Sequence, residues 1–250
     1  MSTSSASTSA SRSGAERTDR AARATSSPEQ RLYRTAGLGG LIAVGSWLAQ
    51  PVVIAVLASA EGNEFGTMAQ LQDRPYSGAI EAVIFLGMAV GLFAFVGASS
   101  RLVRRGRTGA DELTWGRVGE AFGHVGAAAW IAVASASFVP FTSVGLGMAE
   151  TLPGATAQMA VLYANAFLIT AFGLAGMIGL GGHAMFLATA GRRAGVVGWP
   201  VALVGFGAIA ALAVPLIVPF SAPWGAVGVL FFVLVAGVAF LLRSRRAAVE

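Results

Sequence analysis

Cysteine and lysine are absent from this 250-residue chain, histidine occurs twice, and charged residues make up only 12% of it. Without cysteine there is no disulfide framework, no thiolate site and no cysteine-ligated metal or iron–sulfur centre. With so few charges the chain cannot cover a water-exposed surface. It is 55% hydrophobic with a mean hydropathy of +0.70, which excludes an ordinary soluble domain of this length. No phosphate-binding glycine loop, H-E-x-x-H, G-x-S-x-G or dinucleotide fingerprint sits in a suitable context. The chain is therefore read as a protein without autonomous catalytic activity.

What it has instead is length without charge. Residues 35–60, 82–100, 121–149, 151–191 and 194–242 carry no charged side chain. About 20 helical residues cross a hydrocarbon core of roughly 30 Å, so these runs are bilayer spans. The last is too long for one crossing and is interrupted by Pro215, Pro219 and Pro223. The expected fold is all-α: a polytopic membrane protein, a six-transmembrane-helix bundle with spans near 36–59, 79–99, 119–140, 163–189, 198–218 and 223–242. Residues 1–33, rich in Ser, Thr and Ala with scattered charge, read as a disordered cytosolic tail with no signal-peptide core.

All seventeen basic residues are arginine, and sixteen flank the spans on one side, with Arg74 alone on the other. The positive-inside rule then places both termini in the cytoplasm of a bacterial cell, in a multi-pass protein of its membrane. It also accounts for the +5 net charge without nucleic acid. The inner Arg clusters, above all Arg101, Arg104, Arg105 and Arg107, suit anionic lipid headgroups. Trp115 and Trp199 fall at the inner interface and Trp224 at the outer one.

The segment Arg34-Thr-Ala-Gly-Leu-Gly-Gly-Leu41 leads straight into the first span, six spans follow, and an Arg-rich loop lies between the second and third. In these features the chain resembles a family of uncharacterised bacterial six-helix membrane proteins, over about residues 31–245. The resemblance implies a fold and a location and no reaction.

Polar residues inside the spans are the functional candidates, because lipid disfavours them. Glu81 and Gln50 lie toward the outer side, where they and Asn165, with Tyr163 nearby, form a candidate substrate-binding group of a small-solute transporter; the other reading is a membrane accessory subunit. Seven prolines on the outer side fit either helix ends or an outward vestibule. Glu120 is expected to pair with Arg117 at i,i+3. His124 and His183 are expected at similar depth on neighbouring antiparallel helices, flanked by glycines. Helix packing through hydrogen bonds is the first reading of this pair, with no cofactor. A proton relay, or ligation of a b-type haem in an electron-transfer subunit, are the alternatives.

Reporter fusions test the topology. Those after residue 70, within 141–157 and at 220–223 should report as outside, and those within 106–113 and after 246 as inside. One reversed loop would overturn the six-span count.

Overall fold

In lipid, backbone amides and carbonyls must be satisfied within the segment that carries them, so uncharged runs become helices. In this computed structural model, residues 27–61, 75–105, 110–138, 155–214 and 222–246 are described, and no strand occurs among them. The helices are α1 (Pro28–Glu61), α2 (Pro75–Arg105), α3 (Ala110–Phe138), α4 (Ala155–Phe186), α5 (Trp199–Ala213) and α6 (Ala222–Arg246). A π turn, Leu187–Gly191, extends α4. Proline opens α1 and α2 and sits in the first turns of α5 and α6, where its missing amide costs nothing. Only Pro51 lies inside a helix. Pro140, Pro153, Pro215 and Pro219 fall outside the described residues.

Each helix packs on its neighbour in sequence, and α6 closes the ring against α1. Five helices are long and apolar enough to span a bilayer, whereas α5, with 15 residues, rises only about 22 Å. The first helix nevertheless begins, and the last ends, at the same end of the bundle. Gln30 Nε2 donates to Ser244 O at 3.2 Å, so the end of α6 meets the start of α1. At the opposite end, α5 meets the start of α6 where Leu212 touches Gly225. The protein is an integral membrane protein with a polytopic helical bundle. Its outward faces agree: Ile42, Val83, Val90, Leu203 and Phe231 are exposed on a surface that only lipid makes favourable.

The helices outrun the apolar windows. Residues 28–33, read as tail, are the first turns of α1, and residues 1–26 lie outside the described residues. The Arg-rich stretch between the second and third spans is helical at both ends, up to Arg105 and again from Ala110. Lipid contact is not needed to keep a helix going once it is nucleated.

Seams between helices are made by missing side chains, as expected where lipid tails remove the hydrophobic drive for association. A Cβ on Gly126 of α3 would lie 2.8 Å from the Leu180 amide and 2.9 Å from Gly176 O of α4. A Cβ on Gly91 of α2 would lie 2.6 Å from the Ala43 amide of α1. The Gly87/Gly91 pair and the Gly176/Gly179 face are thus helix contacts, and Gly39 and Gly40 let α1 fit between α2 and α6.

The turn from α4 to α5 is a Schellman closure. Val196 N donates to Gly191 O at 2.9 Å and Gly195 N to Arg192 O at 3.1 Å, with Gly195 at φ 70°. Arg243 of α6 then donates to the carbonyls of Gly195 and Val196, the latter at 2.7 Å. Arginines of α1, α2, the α4–α5 turn and α6 therefore share one end of the bundle, called here the Arg end.

Gly126→Leu should destabilise the detergent-solubilised protein by about 1–3 kcal/mol, since only backbone could move to admit the side chain. Gly45→Ala and Gly207→Ala, where a Cβ meets nothing within 4 Å, should be neutral or gain up to about 1 kcal/mol. Unfolding titrations of the three variants compare them directly.

Candidate functional site

Near the Arg end, α4 carries His183 into the middle of the bundle, where it is fully buried. Its Nδ1 lies 3.0 Å from Gly119 O of α3, and its Nε2 lies 3.0 Å from Ser99 Oγ of α2. A carbonyl only accepts, so Nδ1 bears the proton and Nε2 of the neutral ring accepts from the Ser99 hydroxyl. Ser99 Oγ is also 3.2 Å from Val96 O, which gives the hydroxyl a second acceptor. Should Nε2 be protonated, it can donate to Ser99 Oγ while Ser99 turns to Val96 O. Both states have every proton placed. Phe95 meets the ring edge-on at 5.8 Å and Phe186 lies at the same centroid distance.

His124 lies at similar depth on α3, half-buried, with its ring 5.7 Å from that of Phe93 and its Nε2 beside Gly97, both of α2. The two histidines are thus on adjacent helices, as their positions imply, but each turns toward α2. A haem between them does not fit. Both nitrogens of His183 are engaged, and the flanking glycines leave no gap for a macrocycle. A Cβ at Gly123 would meet Val96 at 2.6 Å and His183 Cγ at 3.0 Å, and one at Gly182 would meet Phe122 at 2.7 Å. A ligating imidazole needs a free nitrogen and an open face, and His183 offers neither.

Glu120 pairs with Arg104 of α2, its second oxygen 3.4 Å from Arg104 Nη2, and not with Arg117. The reason is rotational: Glu120 and His124 share the α2-facing side of α3, while Arg117 is exposed. Arg104 also lines a cleft of about 420 Å³ with Arg31, Arg101 and Arg105, between the start of α1 and the end of α2. The Arg clusters thus converge in space; Arg107 falls outside the described residues. Arg192 turns onto the Trp199 ring, 5.1 Å from its centroid. Trp115 and Trp199 are exposed at this end, and the Trp224 side chain is outside the description.

The outer candidates separate into two groups. Ser46 touches Gly87 across the α1–α2 seam, so Gln50 and Glu81 differ in depth by only about 3 Å. Asn165 does not join them. Phe85 stacks on Trp130, and Trp130 covers Gly176; counted outward from there, Asn165 lies about 10 Å beyond Glu81. Tyr163 is further out and exposed. Glu81 is half-buried and forms no ion pair among the described residues. Trp130 Nε1 and Ser137 Oγ, on the adjacent helix, are buried without a hydrogen-bond partner.

Sequence reasoning missed Ser99 and the Gly119 carbonyl, the two partners of His183. Ser99 stands in the small-residue run Gly97-Ala-Ser-Ser100 and looks like packing material. The available signal was that a buried imidazole needs two partners, and Ser99 is the hydroxyl at matching depth on the next helix.

The chain matches no family model, no curated protein and no solved structure. The six-helix resemblance therefore rests on the Arg34–Leu41 segment, helix order and Arg placement alone.

Ser99→Ala should cost about 1–3 kcal/mol by leaving Nε2 buried without a donor. In a His183→Leu background the same change should be nearly neutral, so unfolding of the four proteins forms a double-mutant cycle. Absorbance of the purified protein should show no Soret band; a band lost in His124→Ala would sink the hydrogen-bonding reading.

Proposed function

We propose that the protein is an integral membrane accessory subunit, holding a neighbouring membrane component without carrying a solute or performing chemistry of its own. One observation supports this most: the interior of the bundle behind the Arg end is filled. Phe95, Leu187, Phe240, Val103 and His183 are fully buried between the helices, and Arg104–Glu120 and Arg243 tie the helices together around them. A solute path would have to pass through that packing. The location proposed is the bacterial cytoplasmic membrane, with both termini and the Arg end inside and anionic headgroups gathered at the arginines.

A second reading, a small-solute transporter, is favoured by Glu81. A half-buried carboxylate with no cation among the described residues, level with Gln50, has the make-up of an intramembrane proton or cation site. Under this reading the outer half is the vestibule, since α4 stands clear there, with Phe167 71% exposed.

Proteoliposomes decide between them. The accessory reading expects no solute-dependent proton or ion flux above protein-free vesicles. A flux that falls at least tenfold in Glu81→Gln would establish the carrier instead.

A further inference from the structure

Between α3 and α4, on the face turned to lipid, a groove of about 560 Å³ runs up to the Arg end. Its walls are Trp115, Phe122 and Met185, and Thr189 and Arg193 close one end. Along its floor Phe186, itself buried, packs over Gly119, and Phe122 packs over Gly182. The volume lies within the ~300–1,000 Å³ usual for small-molecule sites, and the lining has their character: apolar and aromatic, with few polar groups. Trp115 and Gly191 mark the ends of the apolar stretches of their helices, so the closed end lies at headgroup depth.

The polar groups at that end differ in what they have left to offer. The Thr189 hydroxyl donates to Met185 O at 2.7 Å, bridging the π turn, and is used up. Arg192 lies on Trp199. Arg193 is exposed and has no ion pair among the described residues, and no acidic side chain lines the groove. A long apolar trough thus ends in one uncompensated guanidinium at the depth of lipid phosphates.

We infer that this groove is a binding site for one anionic phospholipid, an acyl chain lying along Phe122 and Met185 and the phosphate on Arg193. Arg193 favours a headgroup of net negative charge over a zwitterionic one, whose ammonium would meet a cation and find no carboxylate. The inference stands whether or not the bundle moves a solute. It is separate from the α1–α2 arginine cleft, which is lined by four arginines with Pro28 and Leu32.

Native mass spectrometry of the full chain, with phosphatidylglycerol or phosphatidylcholine of identical chains added in detergent, tests it. The wild type is expected to hold one phosphatidylglycerol about fivefold more readily than phosphatidylcholine. Arg193→Gln should abolish that preference, and Met185→Trp, which fills the trough, should lower retention of both lipids. Val118→Phe replaces Met185→Trp if the latter fails to fold, and helical circular dichroism checks each variant. Equal retention of the two lipids by the wild type overturns the proposal. So does a preference that survives Arg193→Gln and disappears only in Arg31→Gln/Arg101→Gln/Arg105→Gln, which would assign the lipid to the other cleft.

Discussion

Backbone meeting backbone across glycine is the constraint on which the bundle rests. Within lipid, separating two apolar helices exposes them to a solvent as apolar as themselves, so contact must be gained by close approach. Gly126 against Gly176 and Gly179, Gly91 against Ala43, and Gly40 against Gly237 set the α3–α4, α2–α1 and α1–α6 seams. Once these three are fixed, relative depths are set within the α1–α2–α6 group and within the α3–α4 pair. The α3–α4 seam brings His183 level with Gly119, and the α2–α3 contact, where Val96 packs against Gly123, brings Ser99 to His183 and Arg104 to Glu120.

His183 then does for register what glycine does for distance. Glycine seams tolerate sliding by a turn wherever small residues recur, and small residues recur throughout this chain. A fully buried imidazole with one donor and one acceptor to satisfy does not tolerate it, because a slip of α2 or α3 leaves a polar atom unpaired in a dry interior. The network joins three helices through two hydrogen bonds and so selects one arrangement among several that packing alone would allow. Its capacity to keep every proton placed in either ionisation state comes from the second acceptor of Ser99 and does not by itself imply a proton pathway.

The number and direction of the helices were readable from the sequence because charge in a membrane protein is confined to places where the chain leaves the lipid. Arg34, Arg101, Arg192 and Arg243 are enough to mark four exits at one end. Helix limits were less readable, since the rule concerns lipid contact and not hydrogen bonding. Residues 28–33 and 110–118 are helical in spite of their polarity, and nothing in Leu187–Gly191 announced a π turn. For the histidine pair depth was recoverable and facing direction was not, whereas Asn165 lies away from Glu81 and Gln50. His124 and His183 are level, as 1.5 Å per residue requires, but whether they face each other depends on helix rotation. Rotation is decided by which glycines meet, and with 33 glycines present the sequence leaves that choice open.

The two ends of the bundle are built differently, and the difference bears on function. At the Arg end the helices are tied by Arg104–Glu120, by Arg243 on the α4–α5 turn and by Gln30 on the end of α6, around aromatic side chains buried completely. Toward the other end, α1 and α4 expose residues such as Val52 and Phe167. A carrier must open both ends in turn, whereas an accessory protein needs one rigid end and a face for a neighbour. Rigidity at the Arg end therefore weighs toward the second, and it does so through residues that hold the fold as well. Changing them would unmake the bundle before it changed a transport rate. Evidence for a carrier must accordingly come from Glu81, which no seam and no network in the described structure depends on.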